Sequence, residues 1–128
     1  VGPIHIGDAD TFADTIEMMK TFVGRTALGF ASRGNTVIGV VATNARLNKE
    51  EANKVAQMAQ DGLARAIRPA HTMLDGDTIF ALATGERKAN VNVVGAFAAE
   101  VLAEAIYRAA TTAESGGGLP AARSQEQP

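Results

Sequence analysis

Three residues of the chain have the types and the spacing for chemistry. Thr36 heads an apolar run, and Asp75 and Asp77 flank Gly76 just before a second one. A threonine hydroxyl is a weak nucleophile until a base takes its proton. If the Asn35–Thr36 bond is broken, Thr36 gains a free α-amine, with a usual pKa of about 7.7–8.0, and so carries its own base. Before cleavage that amine does not exist. Were the chain to break that bond itself, it would need a strained turn over Arg33-Gly34-Asn35 that presents the Asn35 carbonyl to the Thr36 hydroxyl, an N-to-O acyl shift, and hydrolysis. Of the two carboxylates, one is expected to orient the Thr36 hydroxyl or amine. The other is expected to hold the first or to receive a substrate ammonium; the order of roles stays open. Gly76 between them is expected to permit a tight turn. Asn44 is expected either to donate to an oxyanion or to act structurally, as a cap on the turn that follows. Composition alone offers blander readings: Thr36 as a β-branched strand residue, Asp75-Gly76-Asp77 as a surface turn, and His71 as a turn or packing residue.

The elements that must position these groups read as strand, helix, strand, helix. Residues 36–43 are apolar at nearly every position, the pattern of a strand covered on both faces. Asn48 followed three residues later by Glu51 is a capping box, and it predicts a helix to about Ile67 with Ala52, Val55, Ala56, Ala59, Leu63, Ala66 and Ile67 inward. Pro69 ends it. Residues 78–84 predict a second strand, and Gly85-Glu86-Arg87-Lys88 a polar turn. A second long helix, about 92–113, is predicted to bury Val94, Phe97, Ala98, Val101, Leu102, Ala105 and Ile106, with Gly116-Gly117-Gly118 stopping it. Upstream, Asp10 or Thr11 is predicted to cap a short helix over 12–22, followed by a Gly-punctuated connector to Asn35. The expected organisation is therefore an upstream portion or linker over 1–35, a catalytic portion over 36–114 and a disordered tail over 115–128. Two strands alone make a poor sheet, so upstream chain or a partner is expected to supply more. The start at Val1 fits a processed, truncated or excised portion of a longer polypeptide.

Bulk composition narrows the classes. In 128 residues there is no cysteine, which excludes disulfides, catalytic thiolates and zinc–thiolate sites. Two well-separated histidines suggest no metal centre, and no cofactor is expected. A net charge of −2 gives no electrostatic footprint for nucleic acid or anionic lipid. No apolar run reaches a membrane-spanning length and no signal peptide is visible, so a cytoplasmic location is the expectation. With aromatics at 5%, the core should be built of small, closely packed side chains.

Two strings in register, residues 34–45 (GNTVIGVVATNA) and 71–84 (HTMLDGDTIFALAT), with a long helix between them, resemble the DmpA-like L-aminopeptidase/D-esterase family. This family of autoproteolytic N-terminal-nucleophile hydrolases includes the β-aminopeptidases and the nylon-oligomer hydrolases. The likeness covers residues 34–113, within the C-terminal (β-chain) portion of such a precursor. It implies an α/β fold, half of a layered αββα sandwich of the kind shared with ornithine acetyltransferases. It implies cleavage between Asn35 and Thr36, Thr36 as the nucleophile, and Asp75 and Asp77 beside it. It further implies an upstream α-chain supplying a lysine, an asparagine and a tyrosine, none placed on this sequence. Short peptide or amide substrates and a homo-oligomer of αβ units complete the implied picture. Two alternatives stand beside it: an ornithine acetyltransferase-like acyltransferase, whose sequence around the cleavage point differs from Arg33-Gly34-Asn35-Thr36, and a non-catalytic fragment or assembly subunit.

Overall fold

The computed structural model describes residues 14–21, 24, 26, 36–118 and 121. Asn35 and the turn before it, Phe12, Phe22 and most of the expected tail lie outside these. Within them the order is α1 (Thr15–Lys20), β1 (Ile38–Ala45), α2 (Lys49–Ala66), β2 (Thr78–Arg87) and α3 (Val91–Thr112). This is an α/β arrangement in which β1 and β2 pair in parallel and the α2–α3 pair packs against them.

Helix α2 begins as its sequence requires. Asn48 accepts from the Glu51 N–H at 2.8 Å, while the Glu51 carboxylate accepts from the Asn48 N–H at 2.9 Å. Two N–H groups that the helix cannot satisfy internally are thus paired reciprocally. Helix α3 is capped by Asn90, which accepts from the Asn92 N–H. In α1 the cap is Asp14, accepting from Ile16 and Glu17 N–H, rather than Asp10 or Thr11. Asp14 stands directly before the helical residues and reaches two of their open donors, which an earlier residue cannot.

Among the described residues the core is made of Val55, Ala59 and Leu63 from α2, Ile67 at its C-cap, Ile79 from β2, and Ala98 and Leu102 from α3. These include no ring, in keeping with a composition poor in aromatics. Small residues let the helices approach closely. A Cβ on Gly62 would lie 2.1 Å from the Ala99 carbonyl oxygen, and one on Gly95 would lie 2.3 Å from Met58 Sδ. Neither glycine was in the expected inward stripes, because hydrophobicity marks large buried side chains and not the gaps between backbones.

Several expectations are corrected. β1 starts at Ile38, two residues after Thr36, and its exposure alternates, with one face open as expected of two strands without further chain. Gly39, Val41 and Thr43 turn towards the helices, while Ile38 at 69% and Val40 at 57% exposure lie on the open face. Phe80 and Leu82 of β2 share that open face, as the pairs Val40↔Phe80 and Ala42↔Leu82 require. The 85–88 turn is absent: β2 continues to Arg87 through an irregularity in which Ala45 pairs with Arg87 although Thr43 pairs with Ala83. Gly85, at φ +81°, absorbs the extra residues, and its carbonyl accepts from Arg46 Nε. Phe97 and Val101 are each 62% exposed and Ala105 is also exposed, although helical periodicity assigned all three to the core; Ala66 of α2 is exposed as well. Phe97 and Val101 line an open groove of about 330 Å³ between α3 and β1, together with Val40, Ala42 and Val93. Beyond α3, Ala121 is buried and donates its N–H to Ser115 Oγ at 2.8 Å. No described helix is long and apolar enough to cross a membrane.

Candidate active site

The parallel register builds the site. Ile38 pairs with Thr78, so the residues leading into the two strands run side by side. Val37 lies beside Asp77, and Thr36 beside Gly76. The Val37 carbonyl accepts from the Thr78 N–H at 2.9 Å. At the same step the Val37 N–H donates not to a main-chain carbonyl but to the Asp77 carboxylate, at 2.9 Å to Oδ1. A charged acceptor makes this a stronger tether than an ordinary ladder bond. It fixes the residue immediately after Thr36.

Thr36 is exposed, and its hydroxyl lies against the Gly76 backbone. A Cβ built on Gly76 would come within 2.8 Å of Thr36 Oγ1. Gly76 does not adopt a positive φ; the glycines that do are Gly85, Gly117 and Gly118. The expectation that Gly76 is needed for a tight turn is therefore corrected. What requires glycine there is the approach of the Thr36 hydroxyl.

Asp75 faces the other way along the loop. Its Oδ2 accepts from both the N–H and the hydroxyl of Thr72, each at 2.8 Å. The Thr72 Oγ1 accepts from the Leu74 N–H, and the Thr72 carbonyl accepts from the Asp75 N–H at 3.1 Å. The result is a closed turn over 72–75. Thr72 was not singled out from sequence. The signal that finds it is the spacing Thr-x-x-Asp, the same reciprocal arrangement that caps helices. His71 precedes the turn with φ +58°, a left-handed conformation uncommon outside glycine, and is exposed.

Of the residues nominated from sequence, Thr36 is brought against Gly76 and Asp77 is brought to the Val37 N–H, while the Asp75 carboxylate turns back to Thr72. Asn35 lies outside the described residues. Asn44 is not brought to the site: it stands near the far end of β1, eight residues on, about 26 Å at the rise of an extended strand. The helix that follows takes its cap from Asn48, as its sequence predicts. As for oxyanion donors, the Val37 N–H is occupied by Asp77, and donation to a developing oxyanion must come from elsewhere.

A family model described as peptidase family S58 matches residues 6–123. Among curated relatives, an uncharacterized aminopeptidase of Mycobacterium leprae is 50% identical over an alignment covering 67% of this chain and 28% of the relative. An uncharacterized aminopeptidase of Mycobacterium tuberculosis is 43% identical, covering 70% of this chain and 30% of its own. The 6-aminohexanoate-oligomer endohydrolase of a Kocuria species is 36% identical, covering 60% of this chain and 25% of its own. The chain thus spans less than a third of the length of these relatives. With a family model that matches nearly its whole length, the chain belongs to peptidase family S58.

Proposed function

We propose that this chain carries the nucleophile of an autoproteolytic amidohydrolase of the aminopeptidase/amidase type. Thr36 becomes the nucleophile when the Asn35–Thr36 bond is cleaved. The observation that supports this best is the tether from the Val37 N–H to Asp77 beside an exposed Thr36 hydroxyl. An ordinary strand entry has no use for a carboxylate in place of a ladder carbonyl; a nucleophile that must hold its position before and after chain cleavage does.

In the first step the Thr36 hydroxyl attacks the Asn35 carbonyl carbon. The C–N bond breaks, the hydroxyl proton passes to the departing nitrogen, and an Asn35 ester on Oγ1 remains. Water hydrolyses that ester, freeing the Asn35 carboxylate and restoring the Thr36 hydroxyl beside its new amine. In turnover, the amine takes the hydroxyl proton as Oγ1 attacks a substrate amide. The substrate amine leaves with a proton, and water releases the acyl group from Thr36. Asp77 acts as a positioning residue, holding the main chain of residue 37 while the bond on the other side of Thr36 is broken. Its negative charge, with that of Asp75, also favours a cationic amine near the site, either that of Thr36 or that of a substrate N-terminus.

The remaining groups come in this reading from an upstream chain of the same precursor. That chain seats on the open face of Ile38, Val40, Phe80 and Leu82, and on the groove beside Phe97, completing a layered αββα sandwich. Such contiguous apolar surface is a mark of an interface. The names of the relatives suggest short peptides or 6-aminohexanoate-type amides as the substrate class.

Intact-mass analysis of the full-length polypeptide tests the reading. The wild type should split before Thr36, and Thr36→Ala should stay whole. An uncut wild type without amidase activity overturns the proposal in favour of a non-catalytic subunit.

A further inference from the structure

We infer that Gly76 is a positioning residue for the nucleophile: the missing side chain at 76 sets the rotamer in which the Thr36 hydroxyl is presented. The inference rests on Thr36 acting as the nucleophile. It adds a control element that neither strand propensity nor turn chemistry would assign.

The geometry leaves little freedom. A Cβ on Gly76 would lie 2.8 Å from Thr36 Oγ1, with Thr36 Cγ2 and Cβ next at 3.7 and 3.8 Å. The hydroxyl oxygen is therefore the atom that a side chain at 76 would meet first. Gly76 cannot retreat, because it is held from both sides. On one side the 72–75 turn is closed by the Asp75 carboxylate on Thr72. On the other, Asp77 and Thr78 are bonded to the N–H and carbonyl of Val37. Thr36 is tied on its C-terminal side to Val37, which those same contacts hold. The remaining way to relieve the overlap is rotation about the Thr36 Cα–Cβ bond. Threonine is β-branched and stiff about that bond, so rotation moves Oγ1 to a different well instead of by a few degrees. Serine lacks Cγ2, so the same rotation is not opposed by a second substituent and its oxygen can settle part-way between wells at lower cost.

The measurement is a time course of self-cleavage by intact mass on the full-length polypeptide, for Gly76→Ala in two backgrounds, Thr36 and Thr36→Ser. In the threonine background, Gly76→Ala should slow splitting by about 100-fold, the scale on which an ångström of misplacement acts. In the serine background the same substitution should cost at least about tenfold less. Equal losses in the two backgrounds would overturn the inference, since a displaced turn or a misfolded chain injures both alike. So would a Gly76→Ala protein that splits at the wild-type rate. Failure of the underlying reading looks different: there the wild type itself stays whole, or Thr36→Ala still splits.

Discussion

The Asp77 carboxylate and the Val37 main-chain N–H are joined at 2.9 Å, across forty residues of sequence. Through that bond the entry to β2 governs the position of the residue that follows Thr36. Removing it should separate positioning from folding. Asp77→Ala leaves a half-buried N–H without its acceptor, which costs about 1–3 kcal/mol. It should also slow self-cleavage about 100-fold or more. Asp77→Asn keeps an acceptor oxygen but loses the charge, and should fall between Asp77→Ala and wild type. Thermal unfolding and intact-mass time courses on the three proteins check the order.

Thr72 and Asp75 brace the site from behind. Thr72→Val removes the hydroxyl that donates to Asp75 and accepts from Leu74, while Asp75 keeps the Thr72 N–H. Stability should drop by about 1–2 kcal/mol, for two lost hydrogen bonds. Self-cleavage should slow by less than in Asp77→Ala, because the contacts to Val37 are untouched. A larger loss in Thr72→Val than in Asp77→Ala would reverse the assignment of which carboxylate acts closer to the nucleophile.

The proposed function fixes the expected pH profile of the cleaved protein. A Thr36 α-amine accepts the hydroxyl proton only when neutral, so kcat/KM should rise with pH and level off above the amine pKa, ordinarily about 7.7–8.0. Low activity is expected at pH 6. Removal of the amine by acetylation of the new terminus should abolish turnover while leaving the split chains associated. A profile flat from pH 5 to pH 9 would point to a different base.

The helix pair makes a prediction independent of catalysis. Gly62→Ala drives a Cβ into the Ala99 carbonyl, a backbone atom that cannot step aside. Gly95→Ala meets the side chain of Met58, which is flexible. Gly62→Ala should destabilise by about 1–3 kcal/mol and Gly95→Ala by less, read as midpoints in denaturant unfolding.

Phe97 tests the proposed seat of the upstream chain. In the full-length polypeptide, Phe97→Asp should weaken retention of the two chains after splitting, seen as loss of co-elution in gel filtration. A surface substitution such as Glu104→Gln, on an exposed part of the same helix, should leave co-elution intact. Equal behaviour of the two variants would remove Phe97 from that interface.

Much of the fold is written locally. The Asn48–Glu51 box, the helical period of Val55, Ala59 and Leu63, and the apolar strand runs each depend on neighbours within a few residues. They are legible for that reason. The same local reasoning misjudged Phe97 and Val101, because periodicity reports that a surface is apolar but not what covers it. The strand-like continuation through Gly85 was hidden too, since the glycine reads as a turn until its partner strand supplies the pairing.

The candidate site divides along the same line. Sequence alone determined which groups have the chemistry: a hydroxyl after Asn35 and a pair of carboxylates around a glycine. Tertiary structure decided where those groups stand. Only the register of Ile38 on Thr78 sets Asp77 on the Val37 N–H, turns Asp75 back to Thr72, brings Gly76 against the Thr36 hydroxyl and leaves Asn44 at the distant end of the strand. Register is a long-range property, fixed by how the helices bury one face of both strands together, and no short stretch of residues specifies it.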